Sequence, residues 1–148
     1  MNEQQSTRKE GEQPDKLEIV IFPKRQESIF DCGQTVLDML GYNGHEICPD
    51  HEISSRELLD IPGSRIILPT DREGELDYNY PKVLIILRKG KAAGAKHWVI
   101  RHKDKIYCPI DGVMEAEEYE KRCVSSVLQE FEIPVVGQQT PEEFYGQH

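Results

Sequence analysis

The chain has 148 residues, of which 37% are hydrophobic and 30% are charged, and these values predict one globular domain with its own core. The formal net charge of −9 argues against general binding of nucleic acid, whose phosphates attract basic surfaces. The sequence contains no run of about eighteen apolar residues, so no membrane span is expected.

The N-terminal segment and the cysteines bear on the cellular compartment. Residues 1–15 are mostly polar and charged, which predicts a disordered tail, and they lack the apolar core of a secretory signal. Four cysteines without such a signal are expected to be reduced thiols in a cytoplasmic protein. The domain is expected to span residues 16–136, followed by a C-terminal tail at 137–148.

The most informative segment runs from Gln26 through Asp31 and Cys32 into a predicted helix. The apolar residues that follow recur at helical spacing: Val36, Leu37 and Leu40. Because Asp31 is a suitable N-cap, Cys32 is predicted in the first turn, where the helix dipole favours a thiolate and lowers the thiol pKa. The alternative interpretation is a small buried residue that begins a core helix, since cysteine is often buried.

The segment after this helix contains residues that could bind a metal. His45, Cys48 and His51 lie close together in sequence, but a fourth ligand in the spacing of zinc sites is lacking. We therefore expect a solvated loop and predict neither a metal nor any other cofactor. Residues 54–57, Ser-Ser-Arg-Glu, form a capping-box pattern that predicts a short helix ending near Gly63.

The second half of the chain is predicted to form a sheet and a long helix. Residues 83–87 are a continuous apolar run, which is typical of a central strand buried on both faces. Residues 96–100 and 105–112 resemble two strands joined by a short polar turn. Residues 114–131 carry acids before bases, the order that a helix dipole favours, and they are predicted to be helical. One helical face would be apolar: Val124, Val127, Leu128 and Phe131.

The predicted hairpin supplies partners for a cysteine nucleophile. His97 lies early on its first strand and Asp111 at the end of its second, so antiparallel pairing would bring both to one end. Trp98 is expected to point to the face opposite His97 and to pack in the core. A nucleophilic thiol needs a base, and the base needs an orienting group, so Cys32, His97 and Asp111 are the candidate catalytic residues.

These motifs, in this order, resemble those of the papain-like cysteine peptidases, and most closely the bacteriocin-processing peptidases that cleave double-glycine leaders. The similar segments are Gln26, Asp31-Cys32-Gly33, the apolar helix ending near residues 42–44, and the strand at 97–100. The resemblance covers residues 18–131 and implies an α+β fold with an N-terminal active-site helix packed on an antiparallel sheet. One departure is Gly112, since the family usually has proline after the aspartate.

The resemblance implies a mechanism, and the same residues leave two alternatives open. Cys32 would attack a carbonyl, His97 would accept the proton, and the Gln26 amide would donate to the oxyanion. The expected activity is that of a cysteine peptidase that hydrolyses a peptide or isopeptide bond in a peptide or protein substrate, with cleavage after Gly-Gly implied by the family and with an exporter or another protein as a possible partner. Deamidation or transamidation of protein glutamine is an alternative, because these reactions share a thioester, and a non-catalytic leader-peptide binding module is another.

Overall fold

The structure is a computed structural model that describes residues 19–68, 78–89 and 96–146. The predicted tail at residues 1–15 lies outside the described residues. The helices are α1 (Cys32–Met39), α2 (Gly44–Ile47), α3 (Ser55–Leu59), α4 (Ala116–Cys123) and α5 (Pro141–Tyr145). The strands are β1 (Arg65–Ile66), β2 (Lys82–Arg88), β3 (Lys96–His102), β4 (Lys105–Cys108), β5 (Gly112–Glu115) and β6 (Val124–Glu132). Within the described ranges, no helix has the length and apolar character needed to cross a membrane.

The strands form one antiparallel sheet in the order β1-β6-β2-β3-β4-β5. Strand β2 lies between β6 and β3, and its residues from Lys82 to Ile86 are all buried. This position confirms the prediction of a central strand from its continuous apolar run. The predicted hairpin is also present, with Ile100 opposite Tyr107 and His102 opposite Lys105.

Helices cover the two faces of this sheet. Helix α1 packs on one face, where Leu37 and Met39 join Trp98 and Ile100 in a core cluster. Helix α4 covers the other face, where Tyr119 joins a second cluster with Val99. The chain is therefore a mixed α+β protein with α1 packed on an antiparallel sheet, as the sequence predicts for the fold class.

The predicted helix at residues 114–131 is wrong for most of its length. Only Ala116–Cys123 is helical, with Glu117 in its first turn and Lys121 in its last, the charge order that the dipole favours. Val124–Glu132 is strand β6, which pairs with β2 on one side and with β1 on the other. The apolar residues that predicted a helical face include β-branched valines. Their pairing with the central strand outweighs their helical spacing.

The segment expected to be a C-terminal tail, residues 137–148, includes helix α5, which contacts the rest of the domain. Helix α5 begins with a capping box between Thr140 and Glu143. The Phe144 ring lies 5.5 Å from that of the buried Tyr80, and the Tyr145 hydroxyl donates to Glu132 over 3.0 Å. These contacts give α5 apolar and polar attachments that its sequence alone does not reveal.

Candidate functional site

Helix α1 begins at Cys32, as predicted, but Asp31 does not cap it with its side chain. The Asp31 carboxylate instead accepts hydrogen bonds from the backbone N–H groups of Ser28 at 3.1 Å and Glu27 at 3.3 Å, and it lies 3.2 Å from Nε2 of His45. Burial raises the pKa of Asp31, but these backbone bonds and His45 together hold it below its ordinary value. Asp31 therefore fixes the loop that leads into Cys32.

Cys32 is half-buried and lines a cleft of about 290 Å³ on the α1 face of the sheet. The floor of this cleft comes from three neighbouring strands: Gln129 of β6, Ile85 of β2 and Trp98 of β3. Residues 29–30 and 52–55 form its walls. A Cβ atom on Gly33 would overlap the Ile53 side chain, so glycine permits the close approach of this wall to α1.

The Cys32 thiol is held in its protonated form. Burial raises its pKa to about 11, and the nearby charge of Glu52 adds to this increase. Backbone hydrogen bonds from Trp98 and Gly33 act in the opposite direction but do not reverse it. The shift is opposite to the lowering expected from the position of Cys32 at a helix start, because desolvation outweighs the dipole.

His97 lies on the opposite face of the sheet from Cys32. Trp98, its neighbour on β3, packs on the α1 side as predicted, so the alternation of side chains turns the imidazole towards the second cluster. There His97 is 4% exposed, and its Nε2 lies 3.4 Å from the sulfur of Cys108. Burial, reinforced by the charge of Arg88, lowers the pKa of His97 to about 4, so the ring is neutral at pH 7.

Cys108 is the centre of a polar network inside this second cluster. Its sulfur accepts hydrogen bonds from the Tyr119 hydroxyl at 3.3 Å and from the N–H groups of Asp111 at 3.3 Å and Ile110 at 3.4 Å. Burial nevertheless raises the pKa of the Cys108 thiol, and the residue is only 1% exposed. This thiol therefore has an imidazole partner but exposes almost none of its surface.

Asp111 and Gln26 have partners other than the atoms expected from sequence. The Asp111 carboxylate forms an ion pair with Arg88 at 3.2 Å, and its charge raises the pKa of His97 without offsetting burial. Asp111 and His97 therefore share one end of the hairpin, as predicted. The Gln26 side-chain amide donates to the Ser28 carbonyl at 2.6 Å, so this donor is engaged within its own loop.

Comparisons of the chain with protein-family models, curated proteins and solved structures find no match. Cys32 faces a cleft but has the sheet between it and His97, whereas Cys108 contacts His97 and is only 1% exposed.

The contact of Cys108 with His97 was missed from the sequence. The hairpin register places residue 108 opposite residue 99, which lies on the same face as His97. The alternation of side chains along the two strands could therefore have predicted this contact. A second missed feature is Glu57, whose carboxylate converges with Cys48 and His51; their possible ligand atoms all lie within 4.8 Å of one another. Only folding brings Glu57 to this loop.

Proposed function

We propose that the chain is a peptide-binding module that holds a short extended segment in the Cys32 cleft without cleaving it. One observation carries this proposal: the cleft contains a protonated thiol, while the imidazole expected to activate it contacts the Cys108 sulfur on the opposite face of the sheet. A thiol nucleophile requires a base within hydrogen-bonding reach. Recognition needs only the cleft.

The cleft has the mixed chemistry that peptide recognition requires. Its outer wall carries two exposed apolar side chains, Ile29 at 79% and Phe30 at 57% exposure. Glu52 and Lys96 provide opposite charges at the rim, and Gln129 provides an amide on the floor. Such a surface suits an extended peptide with one apolar anchor and a solvated backbone. The resemblance to leader-peptide processing proteins supports the same class of ligand.

The test is binding of a displayed library of short peptides, with a Gly-Gly leader peptide included, to the full chain. Phe30→Asp should weaken the selected peptides at least about tenfold, because it introduces charge into the apolar wall. Val113→Asp, a matched change at an exposed residue of β5, should leave affinity unchanged. Equal affinities for both variants and the unmodified chain would reject the cleft as the binding site.

Hydrolysis through Cys32 is the second candidate function, and one observation favours it. The backbone of Trp98, the residue next to His97, acts to lower the pKa of the Cys32 thiol, so Cys32 lies close to the strand that carries His97. Activity would require the imidazole to reach the α1 face with Asp111 orienting it. Under this proposal the chain is a papain-like, cytoplasmic peptidase with Gln26 at the oxyanion.

A substrate panel separates the two functions and the deamidase or transamidase alternative. It contains a Gly-Gly leader peptide, a ubiquitin-type C-terminal reporter and a protein glutamine assay for released ammonia. Peptide binding without turnover supports the binding module. Turnover that both Cys32→Ala and His97→Ala abolish would replace that proposal with the hydrolase, and the product would identify the reaction.

A further inference from the structure

Three different ligand atoms converge beside α3, outside the Cys32 cleft. The Glu57 carboxylate oxygen Oε2 lies 2.8 Å from Nε2 of His51 and 3.9 Å from Sγ of Cys48. All three atoms lie within 4.8 Å of one another. Sulfur, imidazole nitrogen and carboxylate oxygen are the donors that zinc-class cations bind in proteins.

The backbone at Cys48 and His51 is held in place by a buried side chain of α1. Gln34 on α1 is 3% exposed, and its side-chain amide donates to the carbonyls of Cys48 at 3.0 Å and His51 at 2.6 Å. The two ends of this Cys-x-x-His loop are thus tied to one buried amide group. The spacing of the sulfur and the imidazole is therefore set before any ligand arrives.

Additional carboxylate contacts orient the other donors. Asp50 Oδ1 lies 2.8 Å from Nδ1 of His51, which leaves Nε2 directed at Glu57. The second Glu57 oxygen, Oε1, accepts a hydrogen bond from the Ser54 N–H at 2.8 Å in the capping box, so Oε2 faces the loop. A carboxylate behind a ligating histidine is a recurring device that fixes its tautomer and strengthens it as a ligand.

We infer that Cys48, His51 and Glu57 bind one divalent cation of the zinc class. On binding, the Cys48 S–H would lose its proton to solvent and form a metal–sulfur bond, and water would occupy the fourth position. Bonds of about 2.0–2.3 Å separate tetrahedral ligand atoms by roughly 3.3–3.8 Å. The 3.9 Å sulfur–oxygen separation needs little change, and the imidazole, whose side chain is 55% exposed, has room to widen the 2.8 Å contact.

The cation would fix one wall of the cleft. His51 and Glu57 flank residues 52–55, which line the cleft beside Cys32. A metal joined to both residues closes this seven-residue segment into a ring and restricts its motion. Metal binding itself depends only on the three ligands, so it can be tested separately from the proposed peptide recognition.

The test is titration of the metal-free chain with zinc chloride in competition with a chromophoric chelator. We expect one equivalent to bind, and we expect the cobalt-substituted chain to show thiolate-to-metal charge transfer. Cys48→Ser and His51→Ala should each weaken zinc binding at least about tenfold, and Cys48→Ser should abolish the thiolate band. Zinc should also slow hydrogen exchange of the amides at residues 52–55.

Two matched variants serve as controls. Cys123→Ser removes a half-buried thiol elsewhere, and His45→Ala removes the other histidine of the same segment. Both should bind zinc as the unmodified chain does. Circular dichroism checks the fold of each variant, and His51→Ala keeps the test valid if Cys48→Ser unfolds. No zinc binding, or equal affinity in His51→Ala and the unmodified chain, would overturn the inference.

Discussion

Each face of the sheet has one thiol that bears on catalysis, and burial raises the pKa of both, but the two differ in solvent access and in contact with His97. Cys32 lines an open cleft on the α1 face, whereas Cys108 is enclosed on the α4 face with His97, Tyr119 and two backbone N–H groups around its sulfur. The accessible thiol of Cys32 and the imidazole of His97 are therefore on opposite sides of the sheet. Residues that share a catalytic pattern in sequence need not share a site in space.

The largest expected effect is on the pH dependence of stability, and it comes from the enclosed face. Folding lowers the pKa of His97 from 6.5 to about 4, so below pH 6.5 the unfolded chain binds more protons than the folded chain. The contribution of His97 to the free energy of unfolding should therefore be constant above pH 6.5. It should decrease by about 3 kcal/mol as the pH falls from 6.5 towards 4. Urea unfolding across this range measures the decrease.

His97→Gln isolates this contribution, because it removes the imidazole and leaves every carboxyl group of the chain in place. Its free energy of unfolding should depend less steeply on pH between 6.5 and 4 than that of the unmodified chain. Parallel pH profiles for the two proteins would mean that His97 is solvated, and the contrast between the faces would be lost.

Removing each thiol in turn should affect the two faces unequally. Cys108→Ala leaves the buried Tyr119 hydroxyl and two partly buried N–H groups without this acceptor, and it should cost about 2 kcal/mol. Cys32→Ala removes a half-buried sulfur beside a cleft and should cost less than about 1 kcal/mol. Chemical denaturation of both variants gives the comparison, and equal losses would contradict the assigned environments.

The smallest effect should come from one hydroxyl of the Cys108 network. Tyr119→Phe removes the bond to the Cys108 sulfur but leaves His97 and the backbone donors in place, so the expected loss is about 1 kcal/mol. Tyr107→Phe, at the half-buried neighbour of Cys108 on β4, is the matched control and should change stability less. Unchanged stability in Tyr119→Phe would show that its hydroxyl contributes no net stability.

Local sequence patterns predicted several parts of this fold correctly. The start of α1 at Cys32, the central strand β2 and the opposite directions of His97 and Trp98 follow from residue period and helix-start preferences. The capping box from Ser54 to Glu57 was also predicted. Each of these features depends on residues close together in the chain.

The remaining features depend on contacts between distant segments. Both faces of β2 are apolar, so its sequence does not indicate which face α1 covers, and this choice decides whether Cys32 meets His97 or Trp98. Strand β6 has a helical apolar period that pairing with β2 overrides. The capping box of Thr140 and Glu143 was a usable signal for α5, and the docking of Phe144 on Tyr80 depends on a contact between distant segments.

The most direct test of the separated site is the pH dependence of Cys32 alkylation by iodoacetamide, followed by mass spectrometry of the Cys32 peptide. The rate should rise steadily with pH towards an apparent pKa near about 11, and His97→Ala should leave the profile unchanged. A rapid rate that persists below pH of about 7 and disappears in His97→Ala would instead reveal a thiolate–imidazolium pair. That result would contradict the separation of the two groups by the sheet.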